Sequence, residues 1–167
     1  PSRQRAMKRI IFIMVLSLPV AQGQLIKLLP SWTTYSSKGL FDHRGGFSFY
    51  SVSKVRTLSE KRQLHLSAGS SLFIHSVSFG MRNDFDSPLS FFDRSNVVTS
   101  LALWALPTQT SESMNLRPVA SVSLGLEKDL SEKTSLHMGL LIGGSVSGKG
   151  SGVDIYPVPT LSYVKSW

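Results

Sequence analysis

Polar and apolar residues alternate with a period of two along most of the chain, and no 3.6-residue period persists over ten residues. In Arg117–Lys128 (RPVASVSLGLEK), Ala120, Val122, Leu124 and Leu126 alternate with Ser121, Ser123, Gly125 and Glu127. In Thr134–Ser147, Leu136, Met138, Leu140 and Ile142 alternate with His137, Gly139, Leu141 and Gly143. The polar link Asp129–Lys133 between these runs predicts a hairpin. Phe47–Leu58 leads in the same way through Ser59–Arg62 into Gln63–Phe79. The second face of these strands is made of Ser, Gly and His rather than Lys and Glu. A strand on a soluble sheet shows long charged side chains to water. Small polar residues suit the crowded lumen of a narrow barrel whose outside faces lipid.

An internal echo fixes the topology further. Leu58-Ser59-Glu60-Lys61-x-x-Leu64-His65-Leu66 matches Leu130-Ser131-Glu132-Lys133-x-x-Leu136-His137-Met138 at an offset of 72 residues. Duplication explains this, and so does shared turn chemistry on one side of a barrel. Two turns on one side are separated by an even number of strands. Gln63–Phe79, Asn96–Pro107 and Arg117–Lys128 supply three, so Phe85–Asp93 is expected as the fourth despite Pro88. Leu25–Tyr35 in front and Val153–Trp167 behind bring the total to eight. The short links are then Leu58–Arg62, Arg94-Ser95 and Asp129–Lys133. The longer ones are Ser36–Gly45, Gly80–Asp84, Thr108–Asn115 and Gly148–Gly152. The fold class expected is all-β: an antiparallel up-and-down transmembrane β-barrel of about eight strands.

The N-terminus reads as an address. Arg3, Arg5, Lys8 and Arg9 precede the apolar run Ile10–Val20, and Ala21-Gln22-Gly23 places small residues where a signal peptidase cuts. Residues 1–23 are therefore expected to be a secretory signal peptide, with 1–6 an extension upstream of Met7, and 24–167 to be the barrel domain. The apolar run is too short for a spanning helix, which needs about 20 residues.

Charge changes the picture less than it first promises. The net charge is +8, but four of the 18 cations belong to the signal, so a chain starting at Gln24 keeps 14 against 10 acids, or +4. The remaining cations are scattered, with only Lys61-Arg62 adjacent, so no nucleic-acid footprint is expected. Charged residues are 17% of the chain, below the roughly 25% of soluble domains. With no cysteine, disulfides, thiolate metal sites and cysteine nucleophiles are excluded.

The C-terminal run places Leu161, Tyr163 and Trp167 on one face. It resembles the terminal signal read by the bacterial barrel-assembly machinery, with Lys165 departing from it. Trp32, Tyr35, Phe47, Tyr50, Phe91, Phe92, Trp104 and Tyr156 lie near expected strand ends and suit interfacial girdles. Gly152–Tyr163 (GVDIYPVPTLSY), within a stretch of about residues 136–163, is similar to a strand of the MltA-interacting protein (OmpV-like) family. Its Pro157-Val158-Pro159 after a glycine-rich strand also resembles lipid A palmitoyltransferase barrels. Both resemblances imply an outer-membrane barrel. Neither carries a catalytic residue onto this chain.

Catalytic constellations are thin. His75-Ser76-Val77-Ser78 with Asp84 has the residue types of a serine hydrolase, but His75 and Ser76 point to opposite faces. His65 and His137 follow the two echoed turns and read as periplasmic-rim residues. A metal pair at His65 and His137 would need further ligands, His43 is left unassigned, and Gly143–Gly150 precedes no helix. No catalytic residue, metal ligand or cofactor is assigned. The reading is an outer-membrane protein exported through the Sec pathway, with a structural, scaffolding or surface-interaction role. Its partners are outer-membrane lipid and lipopolysaccharide, the assembly machinery and an envelope protein. A lipid A-modifying barrel enzyme and a secreted soluble β-sandwich binding module are the alternatives.

Overall fold

A computed structural model describes residues 32–44, 48–71, 74–107, 114–146 and 153–167. Eight strands follow one another: β1 (Thr33–Leu40), β2 (Tyr50–Ser59), β3 (Arg62–Ser70), β4 (His75–Asp86), β5 (Arg94–Pro107), β6 (Met114–Ser131), β7 (Thr134–Val146) and β8 (Val153–Ser166). Each pairs antiparallel with its sequence neighbour, and β1 pairs with β8, so the sheet closes into a barrel. Closure leaves no sheet edge unpaired, which overturns the soluble sandwich alternative.

The alternation in the sequence is the alternation across the wall. On β6, Val119, Ser121, Ser123, Gly125 and Glu127 are buried inside, while Leu116, Val122 and Leu124 are exposed outside. The outside is apolar on most strands: Leu101 is 68% exposed, Ile155 67% and Val77 54%.

The C-terminal half of the sequence reading holds closely, and the middle does not. Gln63–Phe79 is not one strand: β3 ends at Ser70 and β4 begins at His75. Gly80–Asp84 is therefore strand, not link. Phe85–Asp93 is mostly the turn between β4 and β5, and Arg94-Ser95 opens β5. Ser36–Leu40 belongs to β1 rather than to an outer loop. The expected signal peptide at 1–23 and the start of the first expected strand, Leu25–Ser31, lie outside the described residues, as does Gly148–Gly152.

The two echoed turns do lie at one end of the barrel. Each carries a register shift, between Thr57 and Ser59 on β2 and between Asp129 and Ser131 on β6. Thr33 and Ser166, at the chain-terminal ends of β1 and β8, lie at this end too.

Two features set the size and shape of the lumen. Following the register once round the barrel returns to β1 about twelve residues from the start, so the strands tilt steeply and the lumen is wide for eight strands. The wall is also uneven. Strands β1, β2 and β3 have 8, 10 and 9 residues, whereas β5, β6 and β8 have 14, 18 and 14. At a tilt near 45°, eight residues rise only about 19 Å, less than the apolar band of about 25 Å on membrane barrels.

Candidate functional site: the plugged lumen

After β1 the chain turns inward instead of running out into a loop. Gly39 (φ 150°) lies where any Cβ would overlap the backbone of Leu161 and Ser162, so β1 approaches β8 closely there. Phe41 (φ 59°) is left-handed and redirects the backbone. Asp42, His43 and Arg44 then enter the barrel and are only 1–2% exposed.

The plug is tied to six strands. Asp42 accepts hydrogen bonds from Ser51 Oγ (2.5 Å) and from the Arg44 amide (3.1 Å), a turn closed by its own side chain. The Arg44 carbonyl accepts from Ser78 Oγ (2.7 Å) and Ser100 Oγ (3.2 Å), and lies 3.2 Å from His65 Nε2. The Arg44 guanidinium sits 5.3 Å over the Tyr35 ring. His43 stacks on His137 with ring centroids 3.8 Å apart.

Below the plug, toward the short turns, runs a ladder of charge. Asp84 pairs with Arg82 (2.6 Å), Arg82 with Glu127 (2.5 Å), Glu127 with Arg94 (3.3 Å) and Arg94 with Asp129 (2.5 Å). Arg82, Asp84 and Glu127 side chains are 6–7% exposed. A cavity of about 150 Å³ remains at this mouth, lined by Tyr35, Gln63, Arg82, Arg94, Glu127 and Asp129 among others. Above the plug, Ala102, Trp104 and Val119 form a small apolar cluster, with Leu106 and Tyr156 packed against it. Trp104 lies three residues from the end of β5, so this cluster sits toward the end of the lumen opposite the short turns.

Two glycines make the histidine sites possible. A Cβ at Gly80 would meet the His65 ring, and one at Gly125 would overlap the His137 ring. His65 and His137 are 1% and 0% exposed, so the expectation that they are rim residues is corrected. Their imidazoles fill lumen space that the glycines leave open. His137 Nε2 lies 3.3 Å from Asn96 Oδ1.

The His65–Ser100 pair is not arranged as base and nucleophile. His65 Nε2 is 3.2 Å from Ser100 Oγ, a serine–histidine contact. A carbonyl can only accept, so a neutral His65 bonded to Arg44 O carries its proton on Nε2 and cannot take the Ser100 proton there. Among the described residues nothing hydrogen-bonds His65 Nδ1. Ser76 and Ser78 face inward, Asp84 is held by Arg82, and His75 faces outward, so the hydrolase residue types are not brought together. No group of three metal-ligating side chains occurs among the described residues.

Several expected girdle aromatics are lumenal instead. Tyr35, Trp104 and Tyr156 face inward, while Tyr50 faces out and Phe91 and Phe92 sit in the β4–β5 turn. Lys165, the departure from the terminal pattern, lies 4.1 Å over the Trp167 ring, and Trp167 Nε1 donates to Ser36 Oγ. The plug and the ladder escaped the sequence reading. The signal for the ladder was present, because Arg82 and Asp84, Arg94 and Asn96, and Glu127 and Asp129 are each two residues apart on one face.

Fold and lumen together define an eight-stranded antiparallel β-barrel with an apolar outside and a polar, internally plugged inside. Compared with protein-family models, curated proteins and solved structures, the chain matches none at a significant level.

Proposed function

We propose that this chain is an integral outer-membrane barrel of a Gram-negative envelope, exported through the Sec pathway and inserted by the barrel-assembly machinery. Its role is structural, scaffolding or surface-interacting, with an envelope protein as partner and lipopolysaccharide around it. The observation that carries the reading is the inside-out polarity of a closed barrel: serine, histidine and paired charges within, and Val77, Phe79, Leu101, Leu124, Leu140 and Ile155 without. The β2–β3, β4–β5 and β6–β7 links and the chain-terminal strand ends share one end, which fits a barrel with periplasmic termini. A lumen filled by Asp42–Arg44 and the Trp104 cluster favours a non-conducting barrel over a porin. The partial similarity of residues 136–163 to the MltA-interacting protein family fits the same reading.

Extraction from a Gram-negative host with detergent, followed by electrophoresis with and without boiling, tests it. The expected result is recovery with the outer membrane and a shift in mobility on heating. Recovery of the folded chain in the soluble periplasmic fraction would sink the proposal.

The lipid A-modifying alternative draws on one observation, the outward contact between Ser70 Oγ and His75 Nδ1 at 2.9 Å. The Ser70 hydroxyl also reaches the Ser71 carbonyl (3.0 Å), and no carboxylate among the described residues bonds His75. Expression of the chain is therefore expected to leave the host's lipid A acyl pattern unchanged. A changed pattern that disappears with His75→Ala would reverse the choice.

A further inference from the structure

The outward face of β1 to β4 carries a polar row near one rim. Lys38, Tyr50, Ser70 and His75 are register partners in sequence: Lys38 opposite Tyr50, Tyr50 opposite Ser70, and Ser70 opposite His75. They form one outward row across β1 to β4. Tyr50 begins β2, Ser70 ends β3, His75 begins β4, and Lys38 is two residues from the end of β1. The row therefore lines the outer-loop rim of the wall's short side. The next partner on β5 is Ala105, so the row stops where the wall becomes tall.

The side chains are already gathered. Lys38 Nζ lies 5.9 Å from the Tyr50 ring centroid, and Ser70 Oγ touches His75 Nδ1. Lys38 and Tyr50 are exposed, and Ser70 and His75 are partly so. No carboxylate among the described residues pairs with Lys38. The row thus offers an ammonium, a phenol and an imidazole held by the Ser70 hydroxyl, and no anion among the described residues pairs with them.

Beside and below it the surface turns apolar again. Val77 and Phe79 continue the outward face of β4 from His75 and are 54% and 51% exposed. Phe79 leads into a groove of about 510 Å³ whose walls include Leu64, Met81, Leu101, Val122 and Ile142. Thr99 and Ala120, small residues among large ones, also line it.

We infer that this row and groove together form a binding site for an anionic amphiphile, a lipid with a phosphate-bearing headgroup. The phosphate lies against Lys38, Tyr50, Ser70 and His75, and an acyl chain lies along Val77 and Phe79 into the groove. Charge complementarity selects the headgroup, because donors at an apolar margin gain most from an ionised oxygen acceptor. The short strands place these donors lower than the opposite rim, within reach of a headgroup whose tails stay in the belt. The inference rests on the membrane reading above.

The test uses the full chain folded in neutral detergent and native mass spectrometry of retained lipid. The probes are a diphosphorylated glycolipid, the same lipid enzymatically dephosphorylated, and inorganic phosphate as competitor. The phosphorylated lipid is expected to be retained and the dephosphorylated one lost. Lys38→Gln combined with His75→Gln is expected to weaken retention by about tenfold, the scale of losing charge-assisted hydrogen bonds. Lys128→Gln, at the opposite end of the barrel, is expected to leave it unchanged. Heat-modifiable migration of each variant confirms that it folds.

Equal retention of both lipids, or indifference to the double variant, would overturn the site. Full displacement by equimolar inorganic phosphate would overturn it too, by showing a free-anion site. A chain that discriminates the lipids in detergent but is soluble in cells would reject the membrane reading and leave the lipid site standing. A membrane-embedded barrel that does not discriminate would reject the site alone.

Discussion

Arg82 stands between two buried carboxylates, bonding Asp84 at 2.6 Å and Glu127 at 2.5 Å with its side chain 6% exposed. Two anions drawn out of water depend on one planar cation that presents several donors. Replacing it with Met leaves both charges without their main partner, so Arg82→Met is expected to destabilise the barrel by about 3–5 kcal/mol. Arg82→Lys is expected to recover only part of this, because a single ammonium does not span two carboxylates as a guanidinium does. Urea unfolding in lipid vesicles, followed by tryptophan fluorescence, gives both values. The exposed pair Lys61–Asp86, whose side chains are 61% and 96% exposed, is the control. Lys61→Ala is expected to change stability by no more than about 0.5 kcal/mol. A loss at Arg82 as small as that at Lys61 would show that the ladder is solvated rather than structural. The parity of these charges was legible in the sequence. Their partners were not, because strands distant in sequence meet only when the barrel closes.

The elements divide by how well lumen and turn can be told apart from composition. Strands β6, β7 and β8 were legible because their outward residues are large and apolar and their inward ones small and polar, the alternation that a wall demands. The middle was not. Gly80–Asp84 (GMRND) has turn composition, yet Arg82 and Asp84 are polar because they face the lumen. The four-residue link 71–74 (SLFI) has strand composition. The true turn, Ser87–Asp93, carries Leu89, Phe91 and Phe92, which read as strand although they project from the turn end. Asp93 fastens that turn to β6, accepting from the Asp129 amide at 2.8 Å and from Lys128 Nζ at 3.1 Å. The Asp129 amide first, and Lys128 second, hold its carboxyl below the ordinary 3.8. A depressed carboxyl stabilises the folded state above the unfolded value and loses that contribution as pH falls through the lower folded value. The turn is therefore expected to loosen only below about pH 4, the ordinary carboxylate range. Carboxyl NMR of the folded barrel is expected to show Asp93 titrating lower than an ordinary aspartate, and Lys128→Gln to raise it partway. An Asp93 titration at the ordinary value would remove this latch from the account.

At the scale of the whole molecule, the steep stagger makes room and the chain fills it with itself. A wide eight-stranded lumen would otherwise hold a column of water between the serines. Instead Asp42–Arg44 occupies the middle, the charge ladder the short-turn end and the Trp104 cluster the outer-loop end. The ladder is polar and leaves a cavity at its mouth, so the plug and the Trp104 cluster are the two barriers in series, and removing either one leaves the path shut. The intact protein is expected to give no steady current in a planar lipid bilayer. Replacing Asp42, His43 and Arg44 by glycine removes the middle barrier, yet that variant is also expected to stay silent, because Trp104, Val119 and Tyr156 still meet above it. Trp104→Ala alone leaves the plug in place and is expected to be silent as well, while costing about 3–5 kcal/mol for the lost ring. Only the combination opens a polar route from one end to the other, and discrete openings are expected there. They should be far smaller than those of 16- to 18-stranded porins, whose lumens are aqueous from the start. Steady conductance from the intact chain would show that the plug leaves the lumen. Conductance from the glycine variant alone would show that the aromatic cluster is no seal, and that Asp42–Arg44 by itself keeps the barrel closed.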